Sequence, residues 1–495
     1  MNKSAGIAVG VIVVVGALAT GGAWYTGTRL EGVLRDSVQN ANQELKNSLN
    51  GSNSSMTIEL ISIDRDVFSS TAHYRFVIQD PNLSADGKNA EFLFVDRIEH
   101  GPLPFSRLKS LKLLPVMAQS NFEMEQSPNA EKWFAMSKGV APVKGYASVG
   151  YDRAVSGALN LSPLEMNDAD GTFSFSGLTI DVDASADAEK IKLNGNMDNL
   201  KLDVTGPDGQ VVLGMQGMTF DSGGTRGKSG FYLGHSNLKI ASALAQVAGQ
   251  PPLLFKDVVN TNLAQEDDGK FAAQVNYNVG MINYQGNDVG AAQFAFNVSN
   301  FDVVATQALY QLYQTKILPQ QQAAAAAGEP LQLVLQPADQ QLMDAEMARL
   351  LAGKPHVELE KLALKTANGE SHVRIAVDLA NPGALDQPSS AVAAKSVGQL
   401  DAKVVLSKPM IQDLATLQAR AAGLTDAAAI AEQAKAASDM VGGMAVVLQL
   451  AKVDGDNVVA DLHYANDVVD FNGKKMSPQQ FVAMIMGKLG GMTGQ

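Results

Sequence analysis

The sequence predicts an α+β protein: an antiparallel, strongly curved β-meander body with helical inserts, preceded by a single transmembrane helix. Three observations carry this. Residues 5–25 hold no charged side chain. Apolar and polar residues alternate over most of 56–304, the two-residue period of a half-buried strand. Segments of helical period, at 305–355 and from Pro409 to about Met440, interrupt the alternation.

Composition bounds the rest. The 495 residues suffice for roughly three average domains, or for one long β architecture. A hydrophobic fraction of 46% supports a sizeable core and excludes global disorder. Lys plus Arg number 38 against 51 Asp plus Glu, a net charge of −13. Such a chain lacks the clustered cations that phosphate backbones need, so no nucleic-acid partner is expected. The absence of cysteine removes disulfides, thiolate metal sites, iron–sulfur clusters and cysteine nucleophiles, and leaves the redox compartment open.

Residues 1–4 read as a short cytoplasmic tail and 5–25 as a signal anchor. Twenty-one helical residues rise about 31 Å, the depth of a bilayer core. Lys3 precedes the run, Arg29 follows it, and Trp24 and Tyr25 occupy the end where amphipathic rings meet headgroups. Ala17-Leu18-Ala19 offers the alternative of a cleaved signal peptide, but the run is longer and more continuous than a signal core. The short tail favours the N-terminus in the cytoplasm and the bulk outside. Gly6 and Gly10 share the small-residue spacing that lets two membrane helices approach, although glycine is common in spans generally.

Residues 26–55 read as an amphipathic helix and linker: Leu30, Val33, Leu34, Val38, Ala41 and Leu45 recur at helical spacing, and Asn50 to Ser55 is turn-rich. From 56 to 304 a curved antiparallel β region is expected, with Tyr74, Phe76 and Ile78 marking one strand. A repeated irregularity runs through it. Apolar residues fall on odd positions before a glycine and on even positions after it. Phe173 and Phe175 give way past Gly177 to Leu178, Ile180 and Val182; the same switch occurs around Gly195, Gly217, Gly234 and Gly280. A slip of one residue would turn the apolar set to the wrong face. Long strands bent by glycine-containing bulges are therefore predicted over short strands joined by tight turns. Asp170-Gly171, Asp208-Gly209, Asp268-Gly269, Asn368-Gly369, Asp454-Gly455 and Asn472-Gly473 supply the hairpin turns. The apolar face, with Phe173, Leu178, Leu202, Phe220, Phe294 and Phe296, is a core if helices cover it and a groove if nothing does. Helices are available, which favours a core.

A helical insert follows at 305–355. Leu309, Leu312, Tyr313 and Ile317 suggest one helix, the Gln320–Gly328 stretch reads as a helix extension or a linker, and Leu342, Met343, Met347, Leu350 and Leu351 share a face of another. A second β region with helices spans 356–495. It ends in a C-terminal helix that Ser477, Pro478 and Gln480 announce as cap, first helical residue and capping-box partner.

Several segments resemble the YdgA family of proteobacterial membrane proteins. They are Met1 to Ser4, Gly21 to Gly27, Val67-Phe68-Ser69-Ser70, His100-Gly101-Pro102, Leu111 to Met117, Leu400 to Lys403, and Tyr464 to Ser477. The resemblance implies an inner-membrane anchor, an envelope-facing body and self-association, and it brings no catalytic residues. Some members carry a GTP-binding label. The nearest phosphate motif here, Ser222 to Ser229, has Ser in place of the first glycine and a strand after it, so no nucleotide partner is expected.

No catalytic, cofactor-binding or metal-binding residues are assigned. The six histidines, His73, His100, His235, His356, His372 and His463, lie far apart in sequence and match no zinc pattern. His100 invites attention but reads best as a turn residue before Pro102. Asp64 and Asp66 flank Arg65 as a salt-bridged turn would, and the acidic turn at Asn167–Gly171 lacks an EF-hand's spacing. Neither a hydrolase elbow nor a dinucleotide fingerprint is present. The expected function is a non-enzymatic, membrane-anchored envelope protein of the inner membrane, single-pass with its bulk in the periplasm. It acts by binding or self-assembly, with the bilayer and a second copy as partners. The alternatives are a β-groove protein holding or transferring lipid, and an enzyme with a site assembled from scattered residues.

Overall fold

A computed structural model describes residues 30–49, 54–80, 89–169, 171–206, 209–383 and 395–490. The expected membrane span, 5–25, lies outside them. Among the described residues no helix is long and apolar enough to cross a membrane. The β-rich, mainly antiparallel α+β architecture is as expected. Two compact units divide the chain between Arg226 and Gly227.

In the first unit, helix α1 (Leu30–Ser48) is followed by strands β1 (Ser55–Arg65), β2 (Ser69–Gln79) and β3 (Ala90–His100). Short helices α2 (Phe105–Lys109) and α3 (Glu131–Met136) flank β4 (Ala118–Met124). Then come β5 (Val143–Val149), β6 (Val155–Leu161), β7 (Leu164–Asp168), β8 (Gly171–Phe175), β9 (Leu178–Ala184), β10 (Lys190–Gly206) and β11 (Gly209–Arg226). Strands β1 to β6 pair in chain order; β9 adds to β6, β10 to β8 and β9 together, and β11 to β10.

The stripe expected over 30–45 faces this sheet. Leu34, Val38, Ala41 and Leu45 are buried with Met56, Ile58, Ala72, Tyr74, Phe76 and Ile98, so α1 closes a core. Asn42 fixes its register. Its Nδ2 donates to the Ile58 carbonyl at 2.9 Å and its Oδ1 accepts from the Ile58 amide at 2.8 Å. One side chain thus does for β1 what a neighbouring strand would do.

In the second unit, β12 (Tyr232–Val247), β13 (Leu253–Asp267), β14 (Lys270–Tyr284) and β15 (Asn287–Asp302) form a long meander. Helices α4 (Val303–Leu312), α5 (Leu318–Ala327) and α6 (Pro337–Ala352) follow, with a π-turn over 313–317 between the first two. The sheet resumes with β16 (His356–Lys365), β17 (Glu370–Leu379) and β18 (Val397–Ser407). Helices α7 (Lys408–Ala421) and α8 (Ala427–Val447) precede β19 (Lys452–Asp454), β20 (Asn457–Ala465), β21 (Val468–Phe471), β22 (Lys474–Met476) and α9 (Pro478–Gly490). The predicted capping box forms at α9: the Ser477 amide donates to Gln480 Oε1 at 2.9 Å, and the Gln480 amide donates to Ser477 Oγ at 3.2 Å.

All six predicted turn dipeptides fall between paired strands. Asp268-Gly269 and Asn472-Gly473 take the paired positive φ values of type I′ turns, 47° and 71°, and 55° and 87°. The hairpins at Gly171 and Gly209 close as Asp168 with Gly171 and Gly206 with Gly209; Asp170 and Asp208 themselves lie outside the described residues.

The bulge expectation needs correction. A bulge puts one extra residue on one strand and changes the register by one. Across Ser176-Gly177 the register on β10 is unchanged: Thr179 faces Asn196, and Phe175 faces Leu200. The β10–β11 ladder is likewise interrupted at Asp198 and Gly217 and resumes in register. The slip is therefore shared by neighbouring strands and forms a crease, in which Gly177 and Gly217 adopt φ of +96° and +63°. A second crease crosses β12, β13 and β14 at Ala241, Asp257 and Gly280. Because neighbours slip together, apolar residues stay opposite apolar residues on both sides. Gly195 and Gly234 are not break points; they sit in the ladder opposite Phe220 and Ala264. At Gly280 the predicted bulge does form on the β15 side, where the register shifts between Val279 and Ile282, and another bulge lies in β16, between Leu359 and Leu362.

Candidate functional site

Two features stand out, and the first is a sheet face. In the first unit, pairing aligns Met166, Phe173, Leu202 and Leu213 in one row, and Leu164, Phe175, Leu200 and Met215 in the next. Beyond the crease, Leu159, Ile180, Gly195 and Phe220 align. In the second unit, Leu238, Asn260, Tyr277, Phe294 and Leu362 form a row, flanked by Ile240, Val258, Val279, Ala292 and Leu364. Across its crease Phe255 faces Ile282, and Leu253 faces Tyr284. The intervening rows are polar: Lys201 with Ser174 and Gly214, and Asn237 with Thr261 and Asn276. Each sheet thus has one apolar and one polar face.

Sequence reasoning favoured helices over the apolar face. Among the described residues, α1 packs on β1 and its neighbours, and the main contacts of α4, α6 and α7 with the sheet are on β15 and β18. Phe173, Leu178, Leu202, Phe220, Phe294 and Phe296 are accordingly half-buried rather than buried. Tyr277 and Leu362 keep 47% and 49% of their surface exposed. The main helix contacts with the sheet thus fall on other strands.

The second feature is a loop platform at one end of the first unit. The turn from β1 to β2 presents Val67 and Phe68, 83% and 80% exposed. The loop from His100 to Met117 presents Leu103, Phe105, Leu111, Leu113 and Leu114, with Leu111 at 82% and Leu114 at 78%. Hydrogen bonds join these segments. The His100 amide donates to the Phe68 carbonyl at 2.9 Å, the Gly101 amide to Met117 at 2.7 Å, and the Val116 amide to Pro102 at 3.0 Å. His100 Nε2 lies 3.2 Å from the buried Ser70 Oγ. Burial holds the His100 imidazole below its ordinary pKa. Three segments quoted for the family resemblance, Val67–Ser70, His100–Pro102 and Leu111–Met117, therefore meet here.

The loop is anchored from below. Glu99 Oε2 accepts from the Ser106 amide at 2.9 Å and its hydroxyl at 2.6 Å. Arg107 donates to Ser148 Oγ at 3.0 Å and to the Leu114 carbonyl at 3.2 Å. Beside it an open cleft of about 490 Å³ is lined by Arg107, Ser148, Asp152, Asp183, Lys190 and Lys192, among others. His100 is not among its lining residues.

The remaining candidates separate. His73 pairs with Glu125 at 3.1 Å, His356 with Asp378 at 2.6 Å, and His463 with Asp401 at 2.6 Å. Among the described residues no group of three His, Cys, Asp or Glu could hold a metal. Ser222–Arg226 lie in β11 and strand β12 begins at Tyr232, so no helix follows the phosphate-like motif. Glu266 Oε2 accepts from the Ser229 amide and hydroxyl, placing a carboxylate where a phosphate would need a donor. Arg65 pairs with Glu31 at 2.8 Å and not with its neighbours Asp64 and Asp66.

Residues 1–479 match the family described as bacterial protein of unknown function, DUF945. The chain belongs to this family. It is 28% identical to Protein YdgA of Escherichia coli (strain K12), over 98% of this chain and 97% of that protein. It is 22% identical to Uncharacterized protein YihF of the same organism, over 96% of this chain and 98% of that one. No solved structure matches. The expected relation to YdgA thus holds along nearly the whole chain. Sequence reasoning missed the platform as a unit. Its signal was present: residues 101–122 carry Arg107, Lys109 and Lys112, many leucines and no acid, within a chain of net charge −13.

Proposed function

We propose that this chain is a membrane-anchored, non-enzymatic protein of the bacterial envelope that binds acyl chains along the open apolar face of its long sheet. The observation that carries this is the set of aligned apolar rows left only partly buried, backed by rows that are polar. A water-facing sheet normally shows its polar side and buries the other. An incompletely covered apolar side gains free energy from an apolar occupant, and acyl chains are the occupant that the expected span at 5–25 brings close. The cytoplasmic tail, inner-membrane location and periplasmic bulk belong to the same proposal. Self-assembly through the same face is the competing reading, favoured by the same exposure.

The test is photo-crosslinking in cells. A benzophenone side chain at Phe294, on the apolar face, should yield adducts of lipid mass. The same group at Gln293, on the polar face, should not. Adducts of a second copy of the chain at Phe294 would replace lipid binding by self-assembly.

A further inference from the structure

We infer that the loop platform of the first unit, built on Val67, Phe68 and the 101–117 loop, seats on the headgroup region of an anionic bilayer. The inference rests on the anchoring part of the proposed function, and it concerns a surface distinct from the open sheet face.

Three observations converge on a lipid surface. The first is position. Helix α1 begins at Leu30, and Glu31 in its first turn pairs at 2.8 Å with Arg65, the last residue of β1. The platform turn follows at once, with the Asp66 amide donating to the Ser69 carbonyl at 2.8 Å. Only residues 26–29 separate α1 from the expected span, a reach of about 17 Å even when fully extended. The chain therefore enters the first unit at the end that carries the exposed Val67 and Phe68.

The second is shape. Large apolar side chains here are not scattered; they cap one end from two loops held together through Phe68 and His100. Insertion of such side chains into the boundary of headgroups and acyl chains removes them from water, while the strands beneath remain outside.

The third is charge. Arg107, Lys109 and Lys112 sit among the leucines, and the segment from 101 to 122 has no acid. Lys109 and Lys112 place their ammonium groups 4.7 Å from the ring centres of Phe105 and Tyr146, so their stems lie along apolar surface with the charge at its margin. Of the acids at this end, Glu31 is paired with Arg35 and Arg65 and Glu99 is held by Ser106; Asp64, Asp66, Asp152 and Asp183 lie outside the loop, the last two in the cleft beside Arg107. Leucines ringed by cations suit anionic headgroups.

The absence of cysteine makes the test direct. Single variants Phe68→Cys, Leu113→Cys and Gln79→Cys of the full chain are labelled with an environment-sensitive nitrobenzoxadiazole dye. Each is reconstituted into vesicles of phosphatidylethanolamine and phosphatidylglycerol carrying spin-labelled lipid. Gln79 ends β2 at the far end of the same strand pair. The expected result is blue-shifted emission quenched by about twofold or more at 68 and 113, and none at 79. Exchanging phosphatidylglycerol for neutral lipid should weaken quenching at 113. Protein that floats with the vesicles but shows water-like, unquenched emission at 68 and 113 overturns the seating while leaving the anchor intact. Protein that fails to float overturns both.

Discussion

Asp96 offers the sharpest test of the first unit's packing. It lies on β3 in the alternating run Phe92, Phe94, Asp96, Ile98, and the apolar members of that run pack in the core beneath α1. Burial pushes its carboxyl from 3.8 up to about 6; hydrogen bonds from Ser120 Oγ, at 2.7 Å, and from the Asn121 amide offset only part of that cost. The same burial, and the charge of Asp96, raise the pKa of the Tyr74 hydroxyl, which has no hydrogen-bond partner among the described residues. The sign follows from linkage. A carboxyl whose folded pKa lies above its unfolded value favours folding below the unfolded value. That contribution is lost as pH rises, here from about 4 to about 6. The rise from 3.8 to about 6 corresponds to ~3 kcal/mol at neutral pH. Asp96→Asn keeps an acceptor for Ser120 and removes the charge. It should stabilise the first unit by up to about 3 kcal/mol at pH 7 and by little at pH 4. The assay is urea unfolding of the full chain in detergent, followed by the fluorescence of Trp133 with Trp24 replaced by Phe. Trp133 packs edge-on to Phe92 at 6.4 Å and so reports this core. A variant that is less stable than the parent at pH 7, or equally stabilised at both pH values, would refute the reasoning.

Other outcomes follow from the same geometry. Asn42→Ala should cost about 2 kcal/mol in the same unfolding assay, since both polar groups of Ile58 lose their partner under α1. Gly195→Ala should destabilise the β10–β11 pair, because a Cβ there would collide with the Phe220 ring; Phe220→Leu in the same chain should restore most of the loss. In the second unit, the hydrogen bond that the His356 ring donates to Asp378 holds His356 above its ordinary pKa against the opposing effect of burial, with Glu358 adding to it. Its contribution is present below pH 6.5 and is lost as pH rises through the folded value, so melting of this unit should soften with rising pH; His356→Gln should flatten the profile. Ser477→Ala should cost about 1 kcal/mol of α9 stability, visible as faster amide exchange over 478–490.

Much of the architecture was legible because it depends on local chemistry. Two-residue alternation marked the strands, Asp-Gly and Asn-Gly pairs marked the hairpins, and Ser477 with Gln480 marked a helix start, each fixed by neighbours a few residues away. The phase slips at Gly177, Gly217 and Gly280 were visible too; a bulge was the right reading on one side of Gly280 and the wrong one at Gly177 and Gly217. A slip in one strand is a bulge and the same slip in its neighbours is a crease, and only pairing distinguishes them. Whether helices covered the apolar face was also hidden, since it depends on where the connections carry them. The platform was illegible for a similar reason: Phe68, His100 and Leu111–Met117 are far apart in sequence and meet through backbone hydrogen bonds. Asn42 and Asp96 carried a weaker clue, a single polar residue in an otherwise apolar stripe.

The central claim is that the apolar face of the long sheet is open and carries acyl chains. The most direct measurement is a residue-by-residue photo-crosslinking scan along β14. Lipid adducts should appear at Tyr277 and Val279, skip Asn276 and Asn278, and then change parity beyond Gly280 to Ile282 and Tyr284. That pattern follows the crease and would be produced by no ligand bound elsewhere. Adducts of uniform yield along the strand, or none at the apolar positions, would contradict the account.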